Sequence, residues 1–171
     1  VHEIGAGWTV AKALLGHERA MIADTFGGSG LRRRAPSDRS FLSTLAIEHT
    51  GERDGRIADG VIRSDVAQVE MDSRAFALTV QRAGDAAKAG HQPGSESSMF
   101  KVYGTELNMR RHELMVRILG PEALGWEGPG FDEFALDTTR QWLRSRGNSI
   151  EGGTSEVQLN IIAKRVLGLP D

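Results

Sequence analysis

The sequence contains no cysteine, which excludes a disulfide framework and a thiolate metal site. Five prolines and one tyrosine among 171 residues, together with long periodic stretches, favour helices over strands. Neither charge is in marked excess, because 21 basic and 23 acidic residues leave a net charge of −2, so no nucleic-acid partner is expected. No apolar run approaches the roughly 20 residues that span a bilayer, so no membrane segment is expected.

Other signatures are also missing. The five histidines have no acidic partner at ligand spacing, so no metal site is expected. The sequence has no nucleophile elbow, Walker loop or dinucleotide fingerprint. Because the first residue is Val1 and no charged-then-apolar leader is visible, we expect a cut-down or processed chain and a cytoplasmic location.

Apolar residues recur at spacings of three and four through most of the chain, which predicts an all-α, up-and-down helical bundle in one domain. Glycine and proline clusters separate the helices. Ser37 or Asp38 is the expected N-cap of the second helix, and Gly51–Gly60 is a polar connection. The predicted helices cover about 7–25, 37–49, 60–89, 95–119, 132–144 and 155–167.

The last predicted helix is apolar on two sides. At about 100° per residue, Leu159, Ile162 and Val166 lie on one side, with Val157 and Ile161 nearly opposite. A helix apolar on two sides is usually buried on two sides. It is therefore either the central helix of a single bundle or a helix held between the bundle and a partner surface.

Two adjacent glycines precede this helix, at Gly152 and Gly153. Such residues let a backbone approach a ligand closely, and a helix start directs unpaired N–H groups and the positive end of its dipole towards that ligand. Gln158, three residues after Ser155, fits a capping box. The pattern indicates an anionic or carbonyl-bearing ligand.

Glu18 lies in the middle of an apolar stripe of the first helix. Its neighbours three and four residues away are Leu14, Leu15, Met21 and Ile22. A carboxylate there is either paired or desolvated, and desolvation raises its pKa. It is thus a candidate general base, or else one half of a buried ion pair with an arginine of another helix.

The run Arg-Ser-Arg-Gly-Asn-Ser-Ile-Glu-Gly-Gly-Thr-Ser-Glu-Val-Gln at 144–158 resembles the C-terminal signature of the acyl-CoA dehydrogenase family. These flavoenzymes insert an α,β double bond into acyl-CoA thioesters. Gly5–Ala11 followed by Leu15–Arg19 is similar to the segment that opens the family's C-terminal helical domain, and Pro93–Lys101 also matches. The resemblance implies that the 171 residues form that domain alone, without the N-terminal helical and middle β-domains, and that this part by itself is inactive.

The family places its base at one of two positions. One is immediately before the Gly-Thr of the terminal motif, which here is Gly152 and cannot act as a base. The other is the glutamate of a Glu-Arg pair, which here is Glu18. Glu151 stands one residue early, and its side chain is expected to point elsewhere. The resemblance therefore makes Glu18 the catalytic base.

The resemblance assigns the remaining site residues. Gly152 matches a backbone donor to the thioester carbonyl, and the adjoining Gly153 shares this substrate-binding bend. Arg19 matches a position near the substrate. The residues matched to contacts with FAD are Thr154, Ser155 and Glu156 in the same turn, and Arg117 and Gly120 towards the flavin of a neighbouring subunit.

The chain departs from the family pattern at three places, and the first two bear on flavin binding across the subunit interface. Thr50–Gly55 replaces an Arg-x-x-Phe-Gly segment, Gly120–Ala123 replaces a glycine-rich segment, and Leu159 stands where arginine is common. The first two departures resemble actinobacterial members that form mixed tetramers in which not every subunit binds flavin. The resemblance implies acyl-CoA as substrate, electron-transfer flavoprotein as acceptor, and a homo- or hetero-oligomer formed through the helical domain. A non-catalytic structural subunit, and an acyl-CoA oxidase or flavin monooxygenase on the same scaffold, are the alternatives.

Overall fold

The computed structural model describes residues 5–14, 39–91 and 96–170. Residues 7–14 form α1. The later elements are α2 (Phe41–Thr50), β1 (Glu52–Arg53), β2 (Arg56–Ile57), α3 (Gly60–Lys88), α4 (Glu96–Leu119), a 3-10 helix (Gly120–Leu124), α5 (Glu133–Ser145), a second 3-10 helix (Arg146–Ser149), and α6 (Ser155–Ile161), which continues into a π-helical turn (Ile162–Val166). The all-α bundle predicted from the periodicity is confirmed.

Side-chain caps fix the starts of several helices. Asp59 accepts hydrogen bonds from the backbone N–H groups of Val61 and Ile62 at the start of α3. Ser40 accepts one from Ser43 and begins α2, so the prediction of Ser37 or Asp38 as the cap is wrong. Those two residues lie outside the described ranges; Ser40 is also a good cap, and here it is buried beside Ser43.

The connection between α2 and α3 contains a short antiparallel hairpin that the sequence pattern does not predict. Glu52 pairs with Ile57, and Arg53 pairs with Arg56. The two loop residues, Asp54 and Gly55, both have positive φ, at 51° and 74°. An Asp-Gly pair suits the two-residue turn whose twist matches its strands. Strands of two residues are too short to show alternation.

Helix α4 is the centre of the bundle, since it contacts α2, α3, α5 and α6. Its apolar side packs on α3, where the ring of Phe76 lies 6.2 Å from that of Phe100 edge to face and 5.6 Å from that of Tyr103. Its opposite side carries small and polar residues that are also buried, among them Ser98, Lys101 and Thr105. This enclosure from all sides positions α4 against the segment that follows α5.

Helix α6 is not enclosed in the single chain. Val157 and Leu159 are 52% and 53% exposed, whereas Gln158 is buried. The prediction of a central helix is therefore wrong, because the bundle covers the side that carries Gln158 and leaves apolar residues on either side of it uncovered. The alternative, a helix held against a partner, stays a prediction.

The apolar residues of α1 are exposed as well. Trp8 is 69% exposed and Leu14 is 67% exposed. The first predicted helix is therefore not packed into the bundle along residues 7–14. Its continuation to residue 25 lies outside the described ranges.

Candidate functional site

The two glycines form a tight bend between the second 3-10 helix and α6. We call residues 149–154 the diglycine turn. The backbone N–H groups of Ile150 and Glu151 both donate to the Gly147 carbonyl, at 3.1 and 3.2 Å, and Gly153 N–H donates to the Ile150 carbonyl at 3.2 Å. Gly152 and Gly153 have φ values of 66° and 98°, a region that favours glycine. The structure thus contains the close backbone bend that the two glycines predict.

The predicted capping box does not form. Thr154 is the N-cap of α6, and its hydroxyl accepts from Val157 N–H at 3.3 Å. Gln158 turns back across the bend, and its Nε2 donates to the Gly152 carbonyl at 2.6 Å. The cap therefore falls one residue earlier than predicted, because Thr154 has the extended backbone that a cap requires.

Some backbone N–H groups at the start of α6, which the sequence pattern predicts to bind a ligand, make hydrogen bonds within the chain instead. Glu156 accepts from its own backbone N–H and from the Thr154 hydroxyl, and these two bonds hold the pKa of its carboxyl below the ordinary value. Val157 N–H is taken by Thr154. The start of α6 is consequently not a row of unpaired N–H groups, which corrects the sequence-based expectation.

Glu151 anchors the turn to α5. Its carboxylate accepts from the Arg144 guanidinium and, at 2.7 Å, from Asn148 Nδ2. The bonds from Arg144 and Asn148 lower the pKa of the Glu151 carboxyl, while burial acts in the opposite direction. A carboxylate held in this way is a poor base, and the assignment of the base to Glu18 stays a prediction.

A polar stripe on α4 lies against the same segment. Its members recur at helical spacings of three and four and are Ser98, Lys101, Thr105, Asn108 and His112. Asn108 Nδ2 donates to Asn148 Oδ1 at 2.9 Å, and Lys101 Nζ donates to the Ser149 carbonyl at 3.3 Å. The stripe therefore contacts the turn directly.

Lys101 is the most deeply buried member of this stripe. Its exposed fraction is 0%. Burial lowers the pKa of its ammonium group, and the carboxylates of Glu106, Glu151 and Glu156 oppose that shift. An ammonium group so placed needs hydrogen-bond acceptors, because desolvating a charge is costly.

Sequence reasoning missed Lys101, Asn108 and Gln158 as residues of the site. The signal that identifies the first two is a row of polar residues at helical spacing on a helix that also has a complete apolar stripe. Such a helix is either solvated on its polar side or buried on both sides, and the contacts of the folded chain decide between these arrangements. Gln158 was interpreted as a helix-capping residue, and for that reason its bond to Gly152 was not predicted.

The predicted site residues separate into three groups. Gly152, Gly153, Thr154, Ser155 and Glu156 lie together in and beside the turn. Arg117 lies near the far end of α4, about 24 Å along the helix from Lys101, and Gly120 begins the 3-10 helix that follows. Arg117 makes an ion pair with Asp65 of α3 at 2.8 Å, and Gly120 has a φ of 57°. Glu18 and Arg19 lie outside the described residues.

The ion pair between Glu151 and Arg144 predicts a pH-dependent stability. Since the folded state lowers the pKa of Glu151, the contribution of the pair is complete above the ordinary pKa of about 4.3 and is lost as the pH falls through the lower folded value. Glu151→Gln is therefore expected to be less stable than the parent at pH 7 and to match it in strong acid. Thermal unfolding of both proteins across this range measures the difference. Arg144→Met, which removes the other partner, should show the same convergence, and a constant difference for both variants would contradict the prediction.

Within residues 5–14, 39–91 and 96–170, no helix has both the length and the hydropathy needed to cross a membrane. In the same ranges, no three histidine, aspartate or glutamate side chains form a group that could hold a metal ion.

The chain is similar to known proteins over nearly its whole length. Residues 5–167 match the family model described as acyl-CoA dehydrogenase, C-terminal domain. The chain is 31% identical over 170 residues to acyl-CoA dehydrogenase IpdE1 of Mycolicibacterium smegmatis, a match that covers 99% of this chain and 38% of that relative. It is 25% identical over 171 residues to acyl-CoA dehydrogenase FadE34 of Mycobacterium tuberculosis, covering 99% of this chain and 21% of the relative. The chain thus spans well under half of these curated relatives.

Solved structures share the fold. A variant of the Tcur3481–Tcur3483 steroid ACAD superposes with a TM-score of 0.73 at 24% identity, covering 100% of this chain and 42% of the other. The ChsE4–ChsE5 complex from Mycobacterium tuberculosis gives a TM-score of 0.68 at 24% identity, covering 100% and 43%. At this level of identity, the similarity to these two structures concerns the fold alone.

Proposed function

Because the chain belongs to the acyl-CoA dehydrogenase family as its C-terminal domain, we propose that it is part of a longer FAD-dependent enzyme that desaturates an acyl-CoA thioester at the α,β position. The observation that carries this proposal is the diglycine turn, whose sequence matches the family signature and whose glycines adopt the bend that close ligand approach requires. The longer protein would add the N-terminal helical and middle β-domains. The 171 residues alone are expected to be inactive.

The proposed chemistry begins at the α-carbon of the thioester. The Glu18 carboxylate removes the α-proton, and Arg19 lies near the substrate. Negative charge then develops on the thioester oxygen, where the Gly152 backbone N–H donates a hydrogen bond in the bend that it forms with Gly153. A donor already in place costs no reorganisation when the charge forms, and this is how such a site lowers a barrier.

The turn also fits an FAD site. The Ser155 side chain makes no hydrogen bond within the described residues and is partly exposed beside the turn, so its hydroxyl is free to contact a nucleotide. Thr154 and Glu156 flank it, although their polar atoms already bond each other. FAD, when bound, supplies the acceptor for the hydride from the β-carbon. Electron-transfer flavoprotein is the proposed final acceptor.

The exposed apolar residues of the last helix support an oligomer. Beyond Val157 and Leu159, the residues Val166, Leu167 and Leu169 are at least 50% exposed. Apolar surface of this kind on one short segment is typical of a partner interface. We propose a homo- or hetero-oligomer whose subunits meet through the helical domain.

A second candidate is a structural subunit of a mixed tetramer that performs no chemistry. Two observations favour it. Glu52, in the segment where family members carry the Arg-x-x-Phe-Gly motif, lies in a hairpin and pairs with Arg39 at 2.8 Å. Arg117, matched to a contact with the neighbouring flavin, is already paired with Asp65. Both arrangements suit a subunit that leaves its neighbour's cofactor site empty.

The full-length protein separates these functions. If it retains FAD on purification and acyl-CoA bleaches the flavin absorbance under anaerobic conditions, the enzyme is supported. If it purifies colourless and its partner carries the activity, the structural subunit is supported. Consumption of oxygen during turnover indicates an oxidase or a flavin monooxygenase. Absence of flavin and of activity with every partner would refute the proposed enzyme.

A further inference from the structure

We propose that Gln158 and Lys101 are positioning residues that fix the orientation of the diglycine turn. The inference deepens the proposed function, on which it rests, because it concerns the backbone donor assigned to Gly152. Neither side chain needs to contact the substrate. Each acts on a main-chain carbonyl at one end of the segment 149–152.

Gln158 fixes the C-terminal end of this segment. Its side chain is 99% buried, and its Nε2 donates to the Gly152 carbonyl at 2.6 Å. That carbonyl is one Cα atom away from the Gly152 N–H. The carbonyl and the N–H of Gly152 lie in the two peptide planes that meet at its Cα, and a glycine rotates more freely about that atom than any other residue. The bond from Gln158 holds one of these two planes and so removes part of that freedom.

Lys101 fixes the N-terminal end from the opposite direction. Its buried ammonium group, on α4, donates to the Ser149 carbonyl at 3.3 Å. Between the two anchored carbonyls, the Glu151 side chain is bound by Arg144 and Asn148. The backbone from 149 to 152 is therefore fixed at three points by side chains of α4, α5, α6 and the second 3-10 helix.

The surroundings of Gln158 make it possible to change the orientation of the turn with little change in the stability of the protein. Its Oε1 atom is buried and has no hydrogen-bond partner within the described residues. Gln158→Met takes the donor away from the Gly152 carbonyl, which destabilises the protein, and it also removes an unsatisfied buried acceptor, which offsets part of that cost. The variant is expected to fold with a Tm within about 4 °C of the parent while the turn loses its bond at Gly152.

Lys101→Met provides the second variant. The variant keeps a side chain of similar length and removes the cost of burying an ammonium group, but it leaves the Ser149 carbonyl without this donor. It also removes the attraction between this ammonium group and the carboxylates of Glu106, Glu151 and Glu156, so the Tm of the variant is measured together with its effect on the turn. If one of the two variants fails to fold, the other still tests the proposal.

The experiment uses the full-length protein with its flavin. Both variants are expected to lower kcat by about 10- to 100-fold, the scale of a small misplacement of a reacting group, with KM changed less than threefold. Amide hydrogen exchange at residues 150–154 should be faster in both. Gln141→Met on the exposed surface of α5 and Lys88→Met at the exposed end of α3 are the matched controls and should leave both readouts unchanged.

The outcomes distinguish this inference from the function on which it rests. Parent-like kcat and parent-like exchange in both variants overturn the positioning role and leave the proposed enzyme intact. Faster exchange in the variants of a parent that shows no acyl-CoA activity supports the positioning role and refutes the function. A rise in KM with kcat unchanged also overturns the inference, since it would indicate substrate binding instead of orientation of the turn.

Discussion

Replacing Glu18 with glutamine in the full-length protein is expected to lower kcat by about 10²- to 10⁴-fold, the range for loss of a positioned general base. Glutamine keeps the size and shape of the side chain but cannot accept the α-proton. Flavin binding should persist, because the assigned flavin contacts lie elsewhere. The rate of flavin bleaching by acyl-CoA in a single turnover measures the proton-abstraction step directly.

Glu127→Gln is the matched control for this experiment. Glu127 is an exposed glutamate in the loop before α5, and its replacement should leave the rate unchanged. A parent-like rate in Glu18→Gln, with a large loss in Glu151→Gln, would move the base into the diglycine turn. That result would be unexpected, because Arg144 and Asn148 already hold the Glu151 carboxylate and lower its pKa.

Gly153→Ala is expected to have the largest effect on the fold near the site. At a φ of 98° an alanine is strained, and its Cβ would lie 2.7 Å from Gln158 Nε2. Backbone strain alone costs about 1–3 kcal/mol, and relief of the clash requires Gln158 to move away from Gly152. We expect the free energy of unfolding to fall by about 2–4 kcal/mol in total, measured by chemical denaturation.

Two other glycines isolate the causes of this loss. Gly90 has a φ of 89° with no atom near its potential Cβ, so Gly90→Ala reports strain without a clash. Gly84 lies inside α3 with open space around it, and Gly84→Ala should stabilise the protein by roughly 0.5–1 kcal/mol. Equal losses for Gly153→Ala and Gly90→Ala would show that the contact with Gln158 contributes nothing.

The longer helices were predictable because local signals agree with the packing. Periodic apolar residues and glycine or proline stops place α3, α4 and α5 within one or two residues of their observed bounds. The start of α2 was less predictable because Ser37, Asp38 and Ser40 are all chemically suited to cap a helix. The hairpin escaped prediction because its strands have two residues each.

The part of the candidate site that could be predicted from the sequence is the part formed by the backbone itself. Glycines in sequence indicate a bend whatever surrounds them, and Gly152 and Gly153 form one. One partner that holds the bend, Lys101, comes from α4, 48 residues before Ser149, and no local pattern specifies that these two residues meet. The same limit applies to α6, whose two apolar sides predict a helix with two covered faces, whereas the bundle leaves Val157 and Leu159 exposed.

Helix α4 links the diglycine turn at one end to Arg117 and Gly120 at the other. Inserting or deleting one residue between these ends would change their separation by 1.5 Å and rotate one relative to the other by about 100°. Either change would displace one group of predicted cofactor contacts relative to the other. Length variation among homologous chains is therefore expected in the connections, such as the hairpin at 52–57 and the loop at 125–132, while the number of residues in α4 stays constant.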